Sequence, residues 1–219
     1  ASWQDPQVGG RAAMLPELVA PGTPYRFVGT NGFHSYYSGD VWEEILEFYD
    51  VYLRGDAADR AAYEAEDPVT ILVEQDNAGK TRGRFTLPSM SAAGDGQRLF
   101  LGSDLASTEG SDATTLTYDP SAYAGLGDLA WDPTRQDRAV FQSEPLAEDV
   151  VMVGPGSADL WISADSTDVD LQVTVTELRS DGQAMLVQSG WLRASHRALD
   201  ESQSTTLRPV QTHRKGDYQ

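Results

Sequence analysis

Tyr25-Arg26-Phe27-Val28-Gly29-Thr30-Asn31-Gly32-Phe33-His34 reads as a short strand followed by a turn that delivers a histidine. Tyr25 to Val28 is aromatic and β-branched, is introduced by Pro24, and is predicted to stop at Gly29. Thr30-Asn31-Gly32 is turn chemistry. A histidine on the loop leaving a strand's C-terminal end sits where open α/β sheets collect their reactive groups, and imidazole is suited to proton transfer near neutral pH. The competing reading is a loop histidine that only hydrogen-bonds its neighbours.

Upstream, Ser2-Trp3-Gln4-Asp5 precedes Pro6 and Gly9-Gly10, so Asp5 also lies just beyond an apolar position and before a loop. The interval to His34 leaves room for a helix and a strand. Ala12 to Ala20 supplies a helix-like apolar stripe, with Pro16 either in its first turn or breaking it. An acid followed by a histidine, each closing a strand, has the chain order of a Ser…Asp…His triad. Asp5 would then orient the imidazole and His34 would be the general base. No Gly-x-Ser-x-Gly occurs in the 219 residues, and no cysteine is present to replace the serine.

Ser2-Trp3-Gln4-Asp5 with Thr30-Asn31-Gly32-Phe33-His34 resembles the Asp and His segments of the CocE/NonD acyl hydrolases. These are cocaine esterase-like serine hydrolases, related to X-Pro dipeptidyl-peptidases and α-amino-acid ester hydrolases. Three further segments resemble that family's C-terminal β domain: Ser143 to Asp149, Gly154 to Trp161, and Gly190 to Arg197. The resemblance implies a parent enzyme that cleaves carboxylic esters, amides or aminoacyl bonds through a serine acyl-enzyme, without a cofactor or metal. Asp5 and His34 would be its catalytic acid and base. The serine and the oxyanion hole would lie before Asp5, on the remainder of the hydrolase, which is then this chain's partner. The chain is expected to be an internal or C-terminal piece, and its β domain to be incomplete. A split hydrolase with two associated chains is a variant of the same expectation.

Asp40 is predicted as a helix N-cap, with Glu43 at capping-box spacing. Val41, Trp42, Ile45, Leu46, Phe48, Tyr49, Tyr52 and Leu53 recur at helical spacing, and Gly55 supplies a stop. This stripe packs against a sheet. Gly55 to Asp67 reads as a short helix or linker, and a domain boundary is expected before Pro68. Residues 1–67 would end an α/β-hydrolase domain, and residues 68–219 would form a mainly-β jelly-roll or β-sandwich domain.

Past Pro68 the apolar period changes from 3.6 to 2. Strands are predicted at Val69–Glu74, Arg84–Leu87, Arg98–Leu101, Thr114–Tyr118, Ala139–Gln142, Val150–Val153 and Ala158–Ile162. Residues 119–138 read as a long connection. Val169, Leu171, Val173 and Val175 alternate with Asp170, Gln172, Thr174 and Thr176, so one face should be buried and one wet. Arg179-Ser180-Asp181-Gly182 turns the chain into Met185–Gln188. On this pattern Leu171→Ala should cost roughly 2–5 kcal/mol.

Two clusters in this half imitate sites. Asp165, Asp168 and Asp170 have the carboxylate density of a cation loop but lack the glycine and distal Glu of an EF-hand, and read as a turn and a wet strand face. Ser195-His196 with Asp200 copies a triad along one segment, whereas triad members converge from separate elements, so His196 reads as structural.

The formal net charge of −18, from 34 acidic and 16 basic residues, argues against a nucleic-acid partner. Lysine occurs only at Lys80 and Lys215. The absence of cysteine excludes disulfides and thiolate chemistry. There is no apolar run near ~18 residues and no signal-peptide pattern, so a soluble protein without a membrane partner is expected, its compartment open. The substrate would be a small-molecule ester or aminoacyl compound. The rival reading is a non-catalytic carbohydrate- or partner-binding β-sandwich module.

Overall fold

A computed structural model describes residues 3, 12, 14–32, 39–74, 81–94, 96–110, 113–118 and 137–218. Its backbone groups into two units: Ala1–Gly94 with Gly154–Glu177 and Leu186–Gln219, and Asp95–Val153 with Leu178–Met185.

The first unit is built on a three-stranded sheet in which β1 (Phe27–Thr30), β2 (Val69–Glu74) and β3 (Thr81–Leu87) lie in that order. β1 runs parallel to β2, from Phe27 opposite Val69 to Thr30 opposite Leu72. β2 is antiparallel to β3, and the register shifts between Val73 and Glu74. A parallel pair needs a crossover connection. Here the crossover carries α2 (Gly39–Leu53) and α3 (Ala57–Glu64), while a four-residue α1 (Leu15–Leu18), with Pro16 in its first turn, precedes β1. β2 is the centre of the core: Val69, Ile71 and Leu72 are at most 1% exposed, and Thr70 is buried between them. A continuous apolar run of this kind is what a strand covered on both faces requires.

β1 begins and ends two residues later than its sequence implied, and Gly29 lies inside it. The glycine is there for space. A Cβ at Gly29 would lie 2.9 Å from the Trp3 ring and 3.3 Å from the Ile71 side chain. In-strand glycine commonly marks such a close approach.

The α2 stripe is only partly covered. Val41 is buried and Phe48 packs on Tyr52 with centroids 4.6 Å apart, but Trp42, Leu46, Tyr49 and Leu53 are exposed. The capping box found among the described residues is not at Asp40 but at α3, the short helix that was one of the two readings of Gly55 to Asp67. The Asp56 carboxylate accepts from the Ala58 and Asp59 backbone N–H groups, and the Asp59 carboxylate accepts from that of Asp56. The Arg26 guanidinium lies 3.8 Å above the Tyr63 ring and 3.3 Å from the Glu66 carboxylate, tying the approach to β1 to the end of α3.

Farther along, strands β6 (Asp170–Leu178) and β7 (Ala184–Arg193) pair as a hairpin. Thr174 hydrogen-bonds Ser189 at 3.1 Å, and four residues toward the open end Asp170 meets Arg193. The turn closes with the Arg179 N–H donating to the Gln183 carbonyl at 2.9 Å, and Gly182 adopts φ +81°. Asp170 and Gln172 are exposed as the alternation requires, but the apolar face is half open: Leu171 is half-buried, and Val173 and Val175 are 37% and 46% exposed. The expected Leu171→Ala penalty therefore falls to about 1 kcal/mol, in proportion to the area removed from water. Gln172→Ala should be neutral within about 0.5 kcal/mol. Urea midpoints of the two variants check both values, and a larger loss for Gln172→Ala would show the register to be displaced by one residue.

In the second unit, β4 (Phe100–Leu101) and β5 (Leu105–Ala106) form a two-residue antiparallel pair, and the Leu105 N–H donates to the Gln142 carbonyl at 3.1 Å. Segments 114–118, 139–142 and 150–153 here, and 158–162 in the first unit, carry no strand, contrary to their alternation. Val150, Val151 and Met152 are exposed, and Trp161 is 99% exposed. Apolar alternation suits a strand only where a neighbouring backbone completes the ladder, because strand propensity is mainly context. Beyond residue 68, every described regular element longer than four residues is a strand. The C-terminal part is thus mostly β with few helices.

Candidate functional site

Asp5 and His34 lie outside the described residues; the nearest described residues before them are Trp3 and Gly32, each two positions upstream. β1 carries its last residue, Thr30, to a buried position where it is 2% exposed. The Thr30 hydroxyl accepts from the Gly32 N–H at 3.1 Å, closing the turn that leads toward His34. The Thr30 carbonyl accepts from the Trp3 N–H at 2.8 Å. The Trp3 ring occupies the space above Gly29. The backbone two residues before Asp5 is therefore bonded to the backbone four residues before His34. Gln188 on β7 joins this junction by donating its Nε2 hydrogen to the Trp3 carbonyl, while the Ser189 N–H donates to Gln188 Oε1 at 2.8 Å. The Trp3 indole N–H is buried and has no hydrogen-bond partner among the described residues.

A second charged region lies between α2 and the sheet, a cleft of about 260 Å³ lined by Arg26, Glu44, Glu66, Thr70, Arg84 and other polar groups. Glu44 is 7% exposed and paired with Arg84. Its signal in the sequence is a carboxylate at a position where the helical stripe points inward, between Val41 and Phe48. Arg26 pairs with Glu66 and Arg84 with Glu44, which holds α2 and α3 to the strands, while Glu47 and Asp67 leave the lining acidic.

At the open end of the β6–β7 hairpin, Arg193 grips the Asp170 carboxylate with two hydrogen bonds of 2.7 Å. Ser195 donates to Asp168 from its hydroxyl at 2.6 Å and from its N–H at 3.0 Å. The Ser195 hydroxyl bond, against a smaller opposing effect of burial, holds the Asp168 carboxyl below the ordinary carboxylate range. The Arg193 hydrogen bond does the same for Asp170. Two of the three carboxylates that imitated a cation loop, Asp168 and Asp170, are thus engaged by a serine and an arginine. Among the described residues no group of three or more His, Cys, Asp or Glu side chains is arranged to hold a metal ion.

Ser195, His196 and Asp200 do not converge. The Ser195 hydroxyl is committed to Asp168, and Asp200 accepts from the Ser202 hydroxyl at 2.6 Å and the Gln203 amide at 3.0 Å. His196 stacks on Tyr218 with centroids 4.1 Å apart and planes inclined by 10°. Its role is packing, as the adjacency argument implied.

The X-Pro dipeptidyl-peptidase C-terminal non-catalytic domain is a described family, and its model matches residues 61–214. The chain belongs to that family. No curated protein sequence and no solved structure matches the chain. The X-Pro dipeptidyl-peptidase C-terminal domain is the non-catalytic part of hydrolase-family proteins, consistent with a hydrolase fragment. The matched span takes in β2 to β7 and the charged cluster around Asp168 and Arg193. Both residues named as catalytic candidates, Asp5 and His34, precede it. No described helix is long and apolar enough to cross a membrane.

Proposed function

We infer that this chain is part of a serine hydrolase acting on carboxylic esters, amides or aminoacyl bonds of small molecules. Residues 1–67 would be the end of its α/β-hydrolase domain and residues 68–219 its jelly-roll domain. Asp5 is the acid and His34 the base, and the nucleophilic serine belongs to the remainder of the hydrolase. The observation that carries this reading is the match to the C-terminal domain of a hydrolase family over residues 61–214, with an acid and a histidine segment earlier in the chain. It is supported by the bond from Trp3 to Thr30, which brings the backbones leading to Asp5 and His34 together.

In the reaction, His34 takes the serine proton as the acyl group is attacked, returns it to the leaving group, and then activates water for deacylation. Asp5 holds the imidazole in the required tautomer and stabilises the imidazolium. The exposed Trp42, Leu46, Tyr49 and Leu53 side of α2 suits the remainder of the hydrolase as partner.

Residues 1–219 alone are expected to show no turnover of an activated aryl ester, because a base without nucleophile and oxyanion hole forfeits most of the rate advantage. Turnover by the pure chain that His34→Ala abolishes would refute the placement of the serine elsewhere. The wholly exposed Trp161 favours the second reading, a carbohydrate-binding module, since sugars stack on open aromatic faces. Loss of oligosaccharide binding in Trp161→Ala, with an inactive full-length protein, would establish that reading instead.

A further inference from the structure

We propose that Gln188, on β7 of the non-catalytic domain, is a positioning residue for the segments that carry Asp5 and His34. The inference rests on the catalytic reading of those two residues, but its structural part stands without it.

The side-chain amide of Gln188 is fixed at both ends. Its Oε1 accepts from the Ser189 N–H at 2.8 Å, which leaves the NH₂ end facing the Trp3 carbonyl. An amide oriented in this way is a committed donor, since only its nitrogen end can satisfy a carbonyl. Trp3 also donates its own N–H to the Thr30 carbonyl at 2.8 Å, and the Thr30 hydroxyl in turn accepts from the Gly32 N–H at 3.1 Å. A hydrogen-bond chain therefore runs from β7 through Trp3 to the turn after β1. The Trp3 ring is clamped over Gly29, where a side chain would leave no room for it. Trp3, two residues before the proposed acid, is thus held by a side chain of a domain that has no catalytic group of its own, and through Trp3 that hold reaches Thr30, four residues before the proposed base. A triad tolerates little displacement between acid and base, and misplacement by about 1 Å costs roughly 100-fold in rate.

Two variants test the proposal. Gln188→Glu keeps the acceptor for Ser189 but turns a carboxylate oxygen toward the Trp3 carbonyl, and Gln188→Met removes the donor at similar length. In the 219-residue chain, hydrogen exchange of the Trp3 amide should accelerate about fivefold, as loss of one supporting hydrogen bond allows. In the full-length hydrolase, kcat should fall roughly 10- to 100-fold with KM little changed. The acid limb of the kcat/KM profile should also move to lower pH. A carboxylate beside the imidazole raises its pKa, so a displaced Asp5 lowers it, and the base form persists into more acidic solution. Unchanged exchange at Trp3 in both variants overturns the tether whatever the catalysis. Faster exchange with unchanged kcat and pH profile, in a protein that His34→Ala inactivates, overturns the positioning role. A uniform loss of activity and melting temperature with a fixed acid limb also overturns it, in favour of a structural role. If His34→Ala leaves activity intact, the catalytic reading fails separately and the exchange measurement still decides the tether.

Discussion

In the full-length hydrolase, His34→Ala is expected to lower kcat by about 10⁴- to 10⁶-fold while leaving the melting temperature within a degree or two of the parent. The size follows from the task. Without the imidazole, the serine hydroxyl must lose its proton as it attacks, and the leaving group must gain one, with water as the only proton carrier, so the enzyme then retains only what binding and the oxyanion hole supply. The small effect on stability follows from position. The described turn before His34 is secured by Thr30, Gly32 and Trp3 through backbone and hydroxyl groups that the substitution does not touch. Asp5→Asn should cost about 10⁴-fold, since an amide favours the wrong tautomer. Steady-state kinetics on an activated ester, paired with thermal melts, read both effects. A His34→Ala enzyme within tenfold of the parent would remove His34 from the mechanism and leave the resemblance without its base.

Several of these features were legible in the sequence because they depend on neighbours along the chain. The α2 stripe, the stop at Gly55 and the β6–β7 turn are local, and they lie where periodicity and turn chemistry put them. Gly55 shows why: its N–H bonds the Asp50 carbonyl at 2.9 Å, and a Cβ there would lie 2.5 Å from the Val51 carbonyl oxygen, so no other residue ends the helix this way. What was misread depends on residues far away. Gly29 looked like a strand terminator because nothing in its own segment reveals that Trp3 will lie over it. The burial of Glu44 was not read from the sequence at all, because Arg84, its partner, is on β3. The apolar runs around Val151 and Trp161 promised strands that had no ladder partner among the described residues. For the candidate site, residue type and chain order suggested Asp5 and His34, while Gln188 carried no signal at all. A lone glutamine on a strand becomes interesting only once its amide is seen to end on the Trp3 carbonyl.

Ile71→Ala is expected to be the most damaging single truncation, costing roughly 2–5 kcal/mol, against about 0.5–1.5 kcal/mol for Ile71→Val. Ile71 is 1% exposed at the middle of the central strand, opposite Gly29 on β1 and Phe85 on β3. It closes on the space above Gly29, and that side has no Cβ with which to fill a cavity. Phe85, on the outer strand, is 45% exposed, so its truncation should cost less than that of Ile71 although it removes more atoms. The comparison also bears on the boundary proposed before Pro68, because β1 lies on one side of it and β2 on the other, in one sheet. If the strands melt as one cooperative unit, Ile71→Ala should shift the urea transition seen by far-UV circular dichroism and by Trp3 hydrogen exchange equally. Separate midpoints, with Trp3 unaffected by the loss at Ile71, would mean that the segment before β2 is not held by this core. The parallel pairing of β1 with β2 would then contribute little to stability.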